Sequence, residues 1–311
     1  MSGLFRWMIQ RWREGRPADP PPSVFERVAP SFSAPRGADG EIAATWVGHS
    51  TLLVQLGALN VLTDPVWSER ASPVPFAGPK RWVAPGVALD TLPPIDLVLL
   101  SHNHYDHCDV RTLRALARTH PEARWRVPLG LRYCVWRLGA RDVVEHDWWD
   151  EETLSDGTRL GCTPAQHFSA RGPFDQDRTL WCGWTARNAA GAFFFAGDSG
   201  FHPEFGDIAR RFGPFDLCAI PAGAYEPRWF MRPVHMNADE AVLAWQAILA
   251  EHPDATRAMI PIHWGTFKLT DEPMDEPPRR VRALWGDAGL PDEALWLLRH
   301  GETRRMPKGI A

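Results

Sequence analysis

The sequence predicts an α/β protein in which two β-sheets pack together and helices lie outside them. Two observations predict it. Short apolar runs of strand length recur along the chain between a few helical patterns, and several of those runs end directly in histidine or aspartate. In chain order, Ala43–Val47, Thr51–Gln55 and Leu59–Thr63 read as strands, with Gly57 at a hairpin turn. Pro65–Pro94 is proline-rich and without period, which predicts a long ordered loop. Leu97–Leu100 is a continuous apolar run, as a buried strand requires, and it leads straight into Ser101–Asp109 (SHNHYDHCD). Leu113, Leu116 and Ala117 share one helical face in Val110–Arg118. Further strands are expected at Trp125–Val127, Val143–His146, Leu160–Thr163, Leu180–Ala186, Ala192–Ala196, Leu217–Pro221, Ala258–Ile262 and Leu295–Leu298. Asn237 with Glu240 three residues on forms a capping-box pair for a helix to about Ala250, and Pro278–Trp285 predicts another helix.

The composition, 44% hydrophobic and 23% charged, is that of a soluble globular chain, and a formal net charge of −4 excludes a general nucleic-acid binder. No internal repeat divides the 311 residues. The organisation expected is an arm or linker over residues 1–42 and one folded domain over 43–311. Sixteen tryptophans either fill the core or line an apolar cleft. Cys108, Cys134, Cys162, Cys182 and Cys218 are isolated, odd in number and without CxxC spacing, so neither a disulfide framework nor a zinc knuckle is expected. With no secretory cleavage pattern and no apolar run of spanning length, a cytoplasmic location is expected.

The arm has a pattern of its own. Leu4, Phe5, Met8, Ile9 and Trp12 recur at helical spacing, and Arg6, Arg11, Arg13 and Arg16 add positive charge. Such a helix either lies on the inner face of an anionic membrane, frays, or docks on a partner subunit. Pro17–Pro22 and the stretch to Gly40 form a linker.

The chemistry concentrates in His102-Asn103-His104-Tyr105-Asp106-His107, three imidazoles and a carboxylate directly after a buried strand. Zinc takes nitrogen and oxygen donors of these types, and so many polar groups packed together are costly without a cation. His167, Asp198 and His263 each follow another expected strand, in TPAQH, FFFAGD and IPIHWG. Singly each reads equally as a cap or a core-edge histidine. Together they read as ligands.

HNHYDH, Gln166-His167, Gly197-Asp198-Ser199-Gly200 and His263-Trp264-Gly265 resemble the motifs of the metallo-β-lactamase superfamily, whose leading signature is HxHxDH. Thr63–Arg81, Leu92–Asp109, Phe193–Gly200, Arg211–Met231 and Ile262–Phe267 further resemble the N-acylphosphatidylethanolamine-hydrolysing phospholipases D, through most of residues 43–303 but not the arm. The resemblance implies a four-layer αββα sandwich with two mixed sheets, and two Zn²⁺ per chain. His102, His104 and His167 then hold one ion, and Asp106, His107 and His263 the other, with Asp198 bridging. The iron-binding branch carries Glu where His104 stands, so histidine favours zinc. A homodimer is also implied.

Two such ions, about 3.5–4 Å apart, acidify a water that attacks a phosphodiester, so no protein nucleophile is required, and the chain has no GxSxG elbow. Asp106 and Asp198 are thereby catalytic as well as ligating. Asp64, in the TDP turn, is expected either to orient a ligand histidine or merely to cap the turn. His235 matches a non-ligand active-site histidine of the family, which implies that it stabilises phosphoryl oxygens or protonates the leaving alkoxide; from the sequence alone it reads also as a solvent-exposed loop histidine. Tyr225, Arg228, Trp229, Phe230 and Met231 form either a substrate-receiving lip or a dimer contact. The activity expected is hydrolysis of N-acylphosphatidylethanolamine-like lipids to phosphatidic acid and an N-acylethanolamine. A lactonase or small phosphodiester hydrolase is the alternative, and a non-catalytic metal-binding protein a third reading.

Overall fold

A computed structural model describes residues 3–253 and 258–306; the outer ends of the expected arm and domain lie outside them. Its strands are β1 (Ile42–Gly48), β2 (Thr51–Leu56), β3 (Leu59–Thr63), β4 (Leu97–Leu99), β5 (Arg124–Pro128), β6 (Asp142–His146), β7 (Glu151–Thr153), β8 (Arg159–Thr163), β9 (Gly183–Asn188), β10 (Gly191–Phe195), β11 (Leu217–Pro221), β12 (Ala258–Ile262) and β13 (Thr303–Arg305). They form two mixed sheets, in the orders β13-β1-β2-β3-β4-β5-β6 and β12-β11-β10-β9-β8-β7. The helices are α1 (Gly3–Glu14), α2 (Val110–Thr119), α3 (Arg132–Arg137), α4 (Glu204–Phe212), α5 (Arg228–Met231), α6 (Ala238–Glu251) and α7 (Glu276–Asp287).

Strand alternation builds the layers. Because successive side chains leave a strand on opposite faces, Leu97 and Leu99 enter the core between the sheets, with Phe193, Phe195, Leu217, Ala219 and Ile260 from the other sheet. Val98 and Leu100 turn outward to meet Leu113 and Leu116 of α2 and Val135 of α3. On the opposite side Phe194, Cys218, Ile220 and Met259 meet Phe205 and Ile208 of α4, Trp245 of α6 and Val281 of α7. The result is helix, sheet, sheet, helix. Strands buried on both faces must be apolar throughout, which explains the unbroken runs LVLL and AFFFA. The tryptophans mostly fill these layers: Trp46, Trp184 and Trp296 lie between the sheets, Trp125 under α2, and Trp245 beside Trp285.

Three elements differ from expectation. Residues 180–182 are not strand: Leu180 N–H bonds Leu129 O and Cys182 N–H bonds Ser101 O, so they tie loops together before β9 begins. Leu295–Leu298 is likewise not a strand. It makes one parallel bridge to Met259 while Trp296 and Leu298 plug the inter-sheet core, so its hydrophobicity serves packing. The strand that closes the first sheet is β13, paired antiparallel with β1. The capping box is as expected: Asn237 Oδ1 accepts from Glu240 N–H, and the Glu240 carboxylate accepts from Asn237 N–H.

The pairs β3–β4–β5–β6 and β10–β11–β12 are parallel, so these strands deliver their C-terminal ends to one edge of the sandwich. Ligand sites in α/β sheets form outside such ends, where the backbone is free of ladder bonds. Asp64, Ser101, Ala196 and His263 begin the loops that leave β3, β4, β10 and β12 there.

Candidate metal centre

Two groups of ligating atoms assemble at that edge. In the first, His104 Nδ1 lies 2.8 Å from His102 Nε2 and 3.2 Å from His167 Nε2. In the second, Asp106 Oδ2 lies 3.5 Å from the Nε2 atoms of both His107 and His263. Asp198 stands between them. Its Oδ2 is 3.0 Å from His107 Nε2 and His263 Nε2, and 4.0 and 3.9 Å from His102 and His167 Nε2. The structure thus brings together His102, His104, Asp106, His107, His167, Asp198 and His263.

Backbone geometry sets up the juxtaposition. Gly197 has φ +63°, and a Cβ there would stand 2.6 Å from Cys182 O and 2.7 Å from Ser101 Cβ. A side chain would push Asp198 away from the HxHxDH loop. Asp64 and His263 also take left-handed conformations (φ +32° and +65°) that non-glycine residues rarely adopt. Such strain persists where the surroundings hold it, commonly at functional sites.

The hydrogen bonds behind the ring nitrogens fix their tautomers. His167 Nδ1–H donates to Val234 O (2.9 Å), leaving Nε2 a lone pair. His107 Nδ1–H donates to Asp64 Oδ2 (2.7 Å), which leaves Nε2 as the atom that faces Asp198. Ser101 Oγ–H donates to Asp64 Oδ2 (2.5 Å), so its lone pair accepts from His102 Nδ1–H (2.8 Å). Asp64 is wholly buried and also accepts Ser101 N–H, so it orients two rings at once. Arg171 steadies the loop from outside: its guanidinium donates to Asn103 O and Cys108 O and lies 3.9 Å from the Tyr105 ring centre.

A cation fits this donor set. Among the described residues His107 Nε2, His263 Nε2 and Asp198 Oδ1 are buried without a hydrogen-bond partner, and each such atom costs roughly 1–3 kcal/mol unless something satisfies it. The electrostatics agree. Burial pushes His102 and His167 well below the usual histidine range, so they are neutral donors. Burial also opposes charge on His263 and His107, but Asp198 and Asp106 outweigh it. His263 is raised to about 9 and His107 well above its usual value. In the metal-free chain a proton therefore takes the place a cation fills, and binding must displace it.

His235 is buried beside the cluster, its ring 5.0 Å from that of His167 and 5.2 Å from that of His263. Arg228 donates to His235 O and pairs with Glu240 at 2.6 Å, which locks α5 to α6. Trp229 is exposed, while Phe230 and Met231 are half-buried at the rim. Tyr225 does not join the rim: its ring is fully buried and its hydroxyl donates to Glu276. Packing against α7 made that residue unreadable from the sequence.

The amphipathic N-terminal segment is helical and docks on its own chain. Trp7 is buried, 5.5 Å from the Phe230 ring, and its Nε1–H donates to Asp271; Arg11 pairs with Asp271 and Gln10 bonds Trp229. Leu4, Phe5, Met8 and Trp12 face outward, Trp12 85% exposed. Among the described residues no helix is long and apolar enough to cross a membrane. Sequence reasoning missed His49, whose only signal was a histidine in the turn after the first strand.

The fold and site define a class. Residues 59–264 match the beta-lactamase superfamily domain, and the chain belongs to that superfamily, as a metal-dependent hydrolase. Igni18, a metallo hydrolase of the archaeon Ignicoccus hospitalis, superposes with a TM-score of 0.63 at 19% identity, over 86% of this chain and 99% of that one. Within the class, the chain is 42% identical to the N-acyl-phosphatidylethanolamine-hydrolyzing phospholipase D 1 of Caenorhabditis elegans over 251 residues, 78% of this chain and 69% of that protein. An uncharacterised protein of Mycobacterium tuberculosis is 38% identical over 287 residues, 90% of this chain and 72% of that one.

Proposed function

We propose that the chain is a phosphodiesterase of phospholipase D type, cleaving N-acylphosphatidylethanolamine-like lipids to phosphatidic acid and an N-acylethanolamine. The observation that carries the reading is the 42% identity to the C. elegans phospholipase over 78% of this chain, on a superfamily domain whose matched residues, 59–264, span both ligand groups. His102, His104 and His167 are the residues to hold one zinc, and Asp106, His107 and His263 the other, with Asp198 shared. Held by these residues, two divalent ions would supply an acidified water and neutralise charge on the phosphoryl oxygens.

The chain's own groups do the rest. His235 is held at a pKa of about 3, because burial outweighs the pull of Asp198, so it is neutral near pH 7. Its Nδ1 has no partner among the described residues, which suits a ring that donates a hydrogen bond to a phosphoryl oxygen better than one that delivers a proton. Arg228 fixes the His235 backbone and so sets where that ring points. Trp229, Phe230 and Met231 receive the apolar part of the substrate, while Asp64 keeps the ligand rings in register.

A lipid substrate has to be met at an interface. The outward stripe of Leu4, Phe5, Met8 and Trp12, with Arg13 and Arg16 nearby, suits peripheral contact with an anionic leaflet beside the α5 rim. The test is turnover of N-acylphosphatidylethanolamine in mixed micelles by the zinc-loaded chain, with Asp198→Asn as control. Release of phosphatidic acid by the wild type alone is the expected result. Two bound metals with turnover only of a soluble phosphodiester or lactone would remove the lipid assignment and leave the centre intact.

A further inference from the structure

His49 belongs to no part of the ligand scheme above, yet it touches two members of the second group in two different ways. It sits in the turn between β1 and β2, 1% exposed, with φ +57°. Its ring Nε2 lies 3.0 Å from Asp106 Oδ2, the oxygen that faces His107 and His263 at 3.5 Å. Its carbonyl accepts the backbone N–H of His263 (3.1 Å) and Trp46 Nε1–H (2.9 Å), and its own N–H donates to Thr266 Oγ1 (2.7 Å). The ring packs 4.1 Å from that of His263 and edge-on to Phe267 at 5.3 Å.

We infer that His49 is a positioning residue of the metal centre, holding the Asp106 carboxylate in the attitude in which it faces His107 and His263. A carboxylate oxygen has lone pairs for two partners, so Oδ2 can accept His49 Nε2–H and still offer a pair to a cation. An ionised carboxylate only accepts, which puts the proton of the His49 ring on Nε2. Among the described residues nothing else bonds the ring, since Nδ1 has no partner there; backbone hydrogen bonds and ring packing aim it. The strained turn is therefore tied to the centre at both ends, through Asp106 by the side chain and through His263 by the main chain. Without the donor, the Asp106 side chain is free to rotate away. Outer partners of this kind set ligand orientation and with it metal affinity.

The inference rests on the metal-binding reading and not on the lipid substrate. The probe is Co²⁺, titrated into the metal-stripped full chain, read by its visible absorption and by competition with a chelator. His49→Phe keeps a ring without a donor, His49→Asn has an amide too short to reach Asp106, and His49→Gln places an amide N–H near the position of Nε2. The wild type is expected to bind two equivalents. His49→Phe and His49→Asn should bind the second about 10–100-fold more weakly, with the first unchanged, and His49→Gln should recover most of the loss. In turnover, kcat falls while KM holds. A wild type that takes up no cobalt overturns the metal-binding reading and this inference together. Wild-type titration by His49→Phe or His49→Asn overturns the inference alone. So does failure of His49→Gln to recover, or equal weakening of both equivalents, which marks a merely structural residue.

Discussion

The ligand cradle and the N-terminal rim lie next to each other and are built in opposite ways. The cradle draws its side chains from the exits of β3, β4, β8, β10 and β12, all anchored in sheets. The rings of His107, His102 and His167 are held from behind by Asp64, Ser101 and the Val234 carbonyl. The rim joins α1 and the four-residue α5 through Trp7, Gln10, Arg11, Phe230, Trp229 and Asp271, with Leu4, Phe5, Met8 and Trp12 turned outward. The first is over-determined and buried; the second depends on a few contacts at the surface. Position is fixed where the ligand atoms converge, and adjustable contact is left at the surface beside them. Local openings of low free energy are expected in the second region only.

The largest effect expected is at the shared ligand. Asp198→Asn removes the charge that faces both ligand groups, and activity should fall by well over about 100-fold, beyond the range typical of residues behind the ligands. Metal analysis should show fewer than two ions retained; full occupancy with near-normal turnover would break the picture of Asp198 as the junction. Asp64→Ala comes next. Losing the acceptor of His107 Nδ1–H and Ser101 Oγ–H should weaken metal affinity or activity by roughly 10–100-fold, measurable by chelator competition.

The pH dependence of the metal-free chain tests the cradle's electrostatics. His49, His235 and His300 are lowered to about 3, chiefly by burial. The unfolded chain protonates them near pH 6.5, so stability is lost as pH falls from 6.5 toward 3, by up to about 1.4 kcal/mol per pH unit for each. His263, raised to about 9 by Asp198 and Asp106 against the effect of burial, has the opposite sign. Its contribution is complete below 6.5 and disappears as pH rises through 9. From these groups the stripped chain is most stable near pH 6.5, and the gain from added metal grows between 6.5 and 9. Thermal unfolding with and without chelator across pH 5–9 reads both; a metal gain that does not change with pH contradicts the assignment of a displaced proton.

The rim should respond more mildly. Trp7→Ala removes a buried side chain worth about 1.5–3 kcal/mol, but that energy holds α1 to α5 and not the sheets together. Trypsin should then cut at Arg11 or Arg13 faster, while metal content and the main unfolding transition stay put. A collapse of the whole fold would show that α1 is part of the core. Smallest of all, Trp12→Ser should lower partitioning onto anionic vesicles only a few-fold, since Leu4 and Met8 remain.

What the sequence determined was everything governed by local pattern. Leu97–Leu99, Leu217–Pro221 and Ala258–Ile262 were legible as strands because a strand buried on both faces reads as a nearly continuous apolar run. The candidate ligands were legible because chemistry restricts them to a few residue types at strand exits. The Asn237–Glu240 cap was legible because both partners lie within one turn. Tertiary structure alone decided the rest. Leu295–Leu298 is apolar yet not a strand, because one bridge to Met259 and a place in the core satisfied it without a ladder. Tyr225 lies under α7 and not at the rim because Glu276, 51 residues away, takes its hydroxyl. His49 meets Asp106 across 57 residues. Contacts between residues so far apart leave no period and no spacing in the chain; they exist only once the sheets have packed.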